Sequence, residues 1–384
     1  MSRYHSHLQT ALKLVDAYQG SEPFAAHLRT YFLAQHKHGS RDRRLIAQLC
    51  YAFFRLGRAL PAANPEARML TGLFLSTAEP GEWLRALRPG WEEKIGLSLE
   101  EKLKCVDADI SPEAVFPWKD ELSPAVYHRE YAFSYFQQPH LFLRIRPGYE
   151  QLVAEKLRKA GISFEALSPS CIQLPNLTAV DRMIELDREA VVQDLHSQAT
   201  GAYMDQLHVK PGARIWDCCA ASGGKSIMLY DRDHTIKLMV SDVRPSILAN
   251  LKKRFSRAGI TRYDTRLVDL TSGPIDGPDF DGIVVDAPCT GSGTWARTPE
   301  QLSFFNPAEI SVYAARQKKI LTNIVSRLRS GGHLLYITCS VFRQENEELV
   351  NFACTQLGMM AEKQAVLTGY SQRADSMFVA VLKK

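Results

Sequence analysis

The 384-residue sequence contains no apolar run approaching the length needed to span a membrane as a helix. None of its eight cysteines forms a CxxC pair, which removes the usual signature of a thiolate zinc site. The stretch MSRYHSHLQTALKLVDAYQG has neither the apolar core nor the small-residue cleavage site of a secretory signal. These absences predict a cytoplasmic protein whose thiols stay reduced. His5, His7, His27, His36 and His38 show no clean ligand spacing, so no metal is expected. There is no internal repeat and no low-complexity linker.

What is present is ordinary for a water-soluble globular chain: 45% hydrophobic and 23% charged residues. The net charge of +5 is unevenly spread. Residues 1–60 carry nine Lys/Arg against three Asp/Glu, with Arg41, Arg43 and Arg44 clustered, whereas residues 61–138 carry eight against thirteen. A basic N-terminal module suits a polyanion such as RNA.

Residues 1–125 read as helical. LQTALKLVDAYQ and RDRRLIAQLCYAFFRLGRAL have helical apolar spacing, and proline-containing turns interrupt the helical pattern of residues 61–125. Residues 126–190 change character. LFLRIRP predicts a strand, YEQLVAEKLRKAG a helix, FEALSPSCIQLP two short strands across a Ser-Pro turn, and TAVDRMIELDRE a second helix. This fits a small α+β module. Residues 191–384 alternate strand and helix. The strands are ARIWDCCA, IKLMVSDV, TRLVDL, DGIVVDAP and HLLYITCS, and a long helix is expected to end at Gly331 and Gly332. Such alternation predicts an α/β, doubly wound, mostly parallel sheet that binds ligands at the carboxyl ends of its strands.

The first of those ends, WDCCAASGGKS at residues 216–226, nearly matches a triphosphate loop. The match fails at the opening glycine, where Cys219 stands. No later strand offers a convincing magnesium-binding set. Gly223 and Gly224 permit close backbone approach, helix-terminal amides face the ligand, and Ala220 and Ala221 leave room for something bulkier and less anionic. Asp242 ends the next strand, where an acid commonly accepts ribose hydroxyls, and Asp269 follows in the series near an adenine. This pattern suits a nucleoside-bearing cofactor such as S-adenosylmethionine (AdoMet).

Two further strand ends carry thiols: Asp286-Ala287-Pro288-Cys289, and Thr338-Cys339-Ser340 followed by Glu345, Asn346, Glu347 and Glu348 at a helix start, where acids suit the dipole. Carbon 5 of a pyrimidine is too weak a nucleophile to take a methyl group unaided. A thiolate adding at carbon 6 makes it an enamine, a carboxyl group beside nitrogen 3 stabilises the adduct, and a base removes the carbon 5 proton. Cys339, Asp286 and Cys289 supply that set.

These motifs resemble the RNA (cytosine-5)-methyltransferase family in its bacterial Sun/Fmu branch, over residues 190–384. The matching pieces are Cys219-Ala220-Ala221-Ser222-Gly223-Gly224-Lys225, Asp286 to Cys289, Thr338 to Ser340, Glu345 to Glu347, and the lead-in VVQDLHSQATG. The resemblance implies a Rossmann-like AdoMet-dependent methyltransferase sheet, with Cys339 as nucleophile and Cys289 assisting product release. It assigns AdoMet contacts to residues 219–225, Asp242, Asp269 and Asp286, with Lys225 shaping the loop. It also implies that residues 126–190 are RNA-recognition-like and residues 1–125 NusB-like. The implied product is 5-methylcytosine in small-subunit (16S) ribosomal RNA, made by a monomer. Two positions depart from the family pattern: Ser222 stands where proline is usual, and Ile337 where a small polar residue is usual. The competing expectations are an RNA-binding assembly factor whose methylation is secondary or lost, and a P-loop ATPase.

Overall fold

The computed structural model describes residues 3–79, 81–106, 108–207 and 210–384. Contacts group the chain into two compact units. One comprises Met1–Asp120, Tyr127–Gln138 and Thr294–Pro307; the other comprises Glu121–Val126, Pro139–Gly293 and Ala308–Lys384. Among the described residues no helix is long and apolar enough to cross a membrane.

The first unit is helical. Its longer helices are Arg3–Ala17, Phe24–Ala34, Ser40–Arg55 and Pro65–Ser76. The helix Ser40–Arg55 buries Ile46, Leu49, Cys50 and Phe54 at helical spacing, each large side chain contributing about 1.5–3 kcal/mol. The helical spacing of the sequence runs on to residue 60, but the helix stops at Arg55. The turn after it sends the Arg58 guanidinium to the carbonyls of Leu302 and Phe305 (2.9 and 2.7 Å). Much of the N-terminal basic excess is structural in this way. Arg55 is buried on the Tyr135 carbonyl (2.6 Å), and Arg43 donates to the His38 carbonyl. Lys13, Arg29, Lys37, Arg41 and Arg44 remain exposed.

The second unit holds two sheets. The strands β1 (Leu141–Ile145), β2 (Glu165–Ser168), β3 (Cys171–Leu174) and β4 (Ala190–Val192) pair antiparallel in the order β2-β3-β1-β4. The helix Glu150–Lys159 packs Val153 and Leu157 in a core with Leu143 and Ile172. The second helix expected over TAVDRMIELDRE does not form; only a 3-10 turn at Val180–Arg182 does. Asp187 adopts φ 70° and receives Arg254 and Arg257, and the Glu189 carboxylate turns inward to Lys156 (2.6 Å). Buried ion pairs therefore override a moderate helix propensity. Arg144 and Arg146 both reach Asp231 at 2.7 Å, tying this sheet to the larger one.

The larger sheet comprises β5 (Arg214–Asp217), β6 (Lys237–Asp242), β7 (Tyr263–Leu267), β8 (Phe280–Asp286), β9 (Leu328–Thr338), β10 (Met360–Leu367) and β11 (Met377–Lys383). Its order is β10-β11-β9-β8-β5-β6-β7; β5 to β9 run parallel, and β11 is antiparallel to both of its neighbours. Side chains of period two feed a separate core on each face: Ile215 and Val284 lie on one side, Trp216 and Val285 on the other. The helix Ala308–Val325 ends earlier than the sequence suggests, so Gly331 and Gly332 lie inside β9. The chain leaves β5 towards β6 and β7, then returns to β8 on the opposite side. That reversal between β5 and β8 is where open α/β sheets bind ligands.

Candidate active site

A cavity of about 600 Å³ opens at the carboxyl ends of β5, β6, β8 and β9. Cys219, Ala221, Asp242, Asp269, Asp286, Cys289 and Cys339 all line it, so the structure gathers seven of the sequence-derived residues at one place. Ala220, Ser222, Gly223, Gly224 and Lys225 shape the loop without lining the cavity.

The loop after β5 is built by local constraints. Gly223 adopts φ 86°, and a Cβ there would stand 2.8 Å from the Phe255 ring, so only glycine fits. Ala221 takes φ 46° and donates its N–H to Asp242 (3.2 Å). Ser222, the departure from proline, is held by Arg254, which donates to its carbonyl (3.0 Å) and its hydroxyl (2.8 Å) while paired with Asp187. Burial would raise the Asp242 carboxyl. Bonds from the Arg244 side chain and backbone outweigh that, and the net shift is downward. Asp269 is exposed two residues beyond β7, and it accepts the Thr271 N–H (2.8 Å) and hydroxyl (2.7 Å), which lower its pKa.

The Lys225 ammonium does not reach outward as a phosphate ligand would. It donates to Asp286 at 2.7 Å. Burial disfavours its charge, but Asp286 first and then Cys339 overcome this, and its pKa rises. Beneath it, Asp217 is fully buried and accepts Ser226 Oγ at 2.5 Å, and burial pushes its pKa up to about 7.

Cys289 Sγ lies 3.3 Å from Cys339 Sγ. The contact with Cys339, followed by burial, drives the Cys289 pKa well above its ordinary value. Cys339 lies near enough to the Lys225 ammonium to help raise the lysine's pKa. The two thiol loops are laced together from behind. Glu345 is buried in a 3-10 turn and accepts the Thr290 N–H (2.9 Å) and hydroxyl (2.9 Å). This corrects its assignment to a helix-dipole position, which only Glu347 and Glu348 occupy. Asn346 accepts from Thr338 Oγ1 (2.6 Å) and donates to the Ser340 carbonyl (2.9 Å). Gly293 donates to the Cys339 carbonyl, and a Cβ there would lie 2.1 Å from the Ser376 carbonyl. Ile337 is wholly buried in the sheet core, which accounts for the second departure.

Sequence reasoning missed Val243, Arg244, Tyr313, Arg316 and Ile320, which also line the cavity. The last three sit on the helix Ala308–Val325 at helical spacing, with no motif to mark them.

The cavity fits AdoMet. Asp242 offers a carboxylate, Val268, Leu270, Pro288 and Ile320 an apolar wall, and Ala221 a gap where a larger side chain would intrude. The sheet order, the loop after β5 and the two thiols define a class, the Rossmann-like methyltransferase domains. Residues 204–382 match the family described as "16S rRNA methyltransferase RsmB/F". A curated relative from Xylella fastidiosa, "Ribosomal RNA small subunit methyltransferase B", is 31% identical over 220 residues, 54% of this chain and 49% of its own length. The chain thus spans about half the length of the curated relatives it matches. Two solved structures share the fold. That of PH0851 has a TM-score of 0.71 at 18% identity and covers 100% of both chains. NSun6 from Pyrococcus horikoshii with SFG has a TM-score of 0.60 at 16% identity, covering 71% of this chain and 96% of its own.

Proposed function

We propose that this protein is an AdoMet-dependent RNA cytosine-C5 methyltransferase that makes 5-methylcytosine in small-subunit ribosomal RNA. The supporting observation is the Cys289–Cys339 thiol pair at 3.3 Å, opening with Asp286 onto one cavity. The family match and the names of the relatives support the ribosomal substrate. Residues 219–225, Asp242, Asp269 and Asp286 hold the cofactor; when bound, AdoMet supplies an electrophilic methyl group.

The chain's own residues do the remaining chemistry. Cys339, as thiolate beside the Lys225 ammonium, adds to cytosine carbon 6. Asp286, fixed by Lys225, lies beside nitrogen 3 and the exocyclic amine and stabilises the adduct. Bonding Cys339 to carbon 6 removes the negative sulfur that holds the Cys289 proton in place. The Cys289 thiol then ionises more easily and gives its proton to solvent; the resulting thiolate accepts the carbon 5 proton, and that C–H electron pair re-forms the carbon 5–carbon 6 double bond as the bond to Cys339 breaks and Cys339 leaves as thiolate. A cytosine in a duplex must be extruded to reach both sulfurs.

Residues 1–125 act as a NusB-like RNA-binding module and residues 126–190 as an RNA-recognition-like module. Exposed Lys13, Arg29, Lys37, Arg41 and Arg44 contact phosphates, so binding weakens steeply with salt. Bisulfite sequencing of 16S ribosomal RNA from a strain lacking the gene tests this function. One cytosine is expected to lose its methyl group and to regain it with the purified protein and AdoMet. An unchanged methylation map would overturn the proposal.

A further inference from the structure

The first helical unit gathers three potential metal donors that no motif joins in the sequence. His7 lies on the helix Arg3–Ala17, His38 in the turn before the helix Ser40–Arg55, and Asp42 in the first turn of that helix. One donor atom from each lies within 4.8 Å of the other two. His7 and His38 are 5% and 6% exposed, and His7 Nδ1 and His38 Nε2 have no hydrogen-bond partner. Leaving His38 Nε2 buried and unpaired costs about 1–3 kcal/mol, which a bound ion would recover, whereas His7 meets Asp42 through its other nitrogen, Nε2. Rings of Trp83 (5.8 Å from His7) and Phe32 (6.0 Å from His38) wall the group and lower its local dielectric.

We infer that His7, His38 and Asp42 bind a divalent transition-metal ion, zinc by the chemistry of the donors. Two imidazoles and a carboxylate form a borderline nitrogen–oxygen set that zinc takes tetrahedrally, with water as the fourth ligand. Tetrahedral zinc needs donors about 3.3 Å apart. His7 Nε2 and Asp42 Oδ1 already stand 3.3 Å apart, and all three donors lie within 4.8 Å of one another, so a small inward shift closes the set. Arg3 competes for the same carboxylate oxygen: its guanidinium holds Asp42 Oδ1 at 2.6 Å, and its side chain is half exposed and able to leave. Asp42 Oδ2 stays on the Gly39 N–H (3.3 Å), which fixes the carboxylate. The bound ion joins the first helix to the turn before the third, and Arg3 competes with it.

The test uses the full chain, stripped with a chelator and titrated with cobalt(II) and then zinc. The wild type is expected to bind one equivalent, with cobalt d–d bands and no thiolate charge-transfer band, and zinc is expected to raise its thermal midpoint. His7→Gln/His38→Gln loses that equivalent. Arg3→Ala, an exposed change that leaves the core intact, binds at least several-fold more tightly. The proposal is overturned by equal binding in the wild type and the double variant, by a sulfur-ligated cobalt spectrum, or by an Arg3→Ala affinity equal to wild type.

Discussion

Cys289 and Cys339 come from loops 50 residues apart in the chain, yet their sulfurs stand 3.3 Å from each other. The contact raises the Cys289 pKa, and Cys339 in turn helps raise that of Lys225, the lysine bonded to Asp286.

In the proposed mechanism, Cys339→Ala removes the group that adds to carbon 6. Methyl transfer should fall to background, while AdoMet affinity by calorimetry stays within about twofold of wild type. Substantial turnover in this variant would refute the nucleophile assignment.

In the proposed mechanism, Cys289→Ala leaves adduct formation intact and removes the proton acceptor. The variant should accumulate a protein–RNA species that survives denaturing electrophoresis. Wild-type turnover with no such band would reduce Cys289 to a packing residue.

Asp231 serves two buried arginines, Arg144 and Arg146. Asp231→Ala strands both charges and should cost about 3–5 kcal/mol in chemical denaturation. A loss below about 1 kcal/mol would mean that the two guanidinium groups find other partners.

Asp217 has its pKa raised from the ordinary value to about 7 by burial. Its contribution to stability is therefore full below about pH 4 and lost as pH rises to about 7. Asp217→Asn should flatten that dependence, by up to about 1.4 kcal/mol per pH unit across the window. Parallel stability–pH curves for wild type and variant would show that Asp217 ionises normally.

Arg254→Ala frees Ser222 and should weaken AdoMet binding on the order of tenfold, about 1.4 kcal/mol. Ser222→Ala loses only the hydroxyl bond and should weaken it less. If the order of the two variants is reversed, the guanidinium–carbonyl bond is not what holds the loop.

The central parallel strands could be read from the sequence because their runs, such as GIVVD and LLYIT, are buried on both faces and nearly all apolar, unlike the largely exposed β7. The thiols and acids were legible because each closes such a run. The strand β10 was not, since most of its side chains are exposed and carry little hydrophobic signal. Its partner β11 is apolar but lies beyond the last recognisable motif. The helix expected over residues 178–189 failed because Asp187 and Glu189 turn to distant cations, which local propensity does not register. Glu345 looked like a helix-start acid because sequence distance to Thr290 says nothing of spatial distance. Tyr313 and Arg316 share one face of a helix whose apolar pattern announces only its buried side.

The serine at position 222 has a consequence for how this protein tolerates change. A proline stiffens a loop within one residue. Here the stiffness is spread over Ser222, Arg254 and Asp187, with Arg254 and Asp187 67 residues apart. Three codons now answer for what one codon can do, so mutations remote from the cavity reach the cofactor loop. Relatives that keep serine there should keep the arginine and the aspartate with it, and relatives that regain proline are released to lose both.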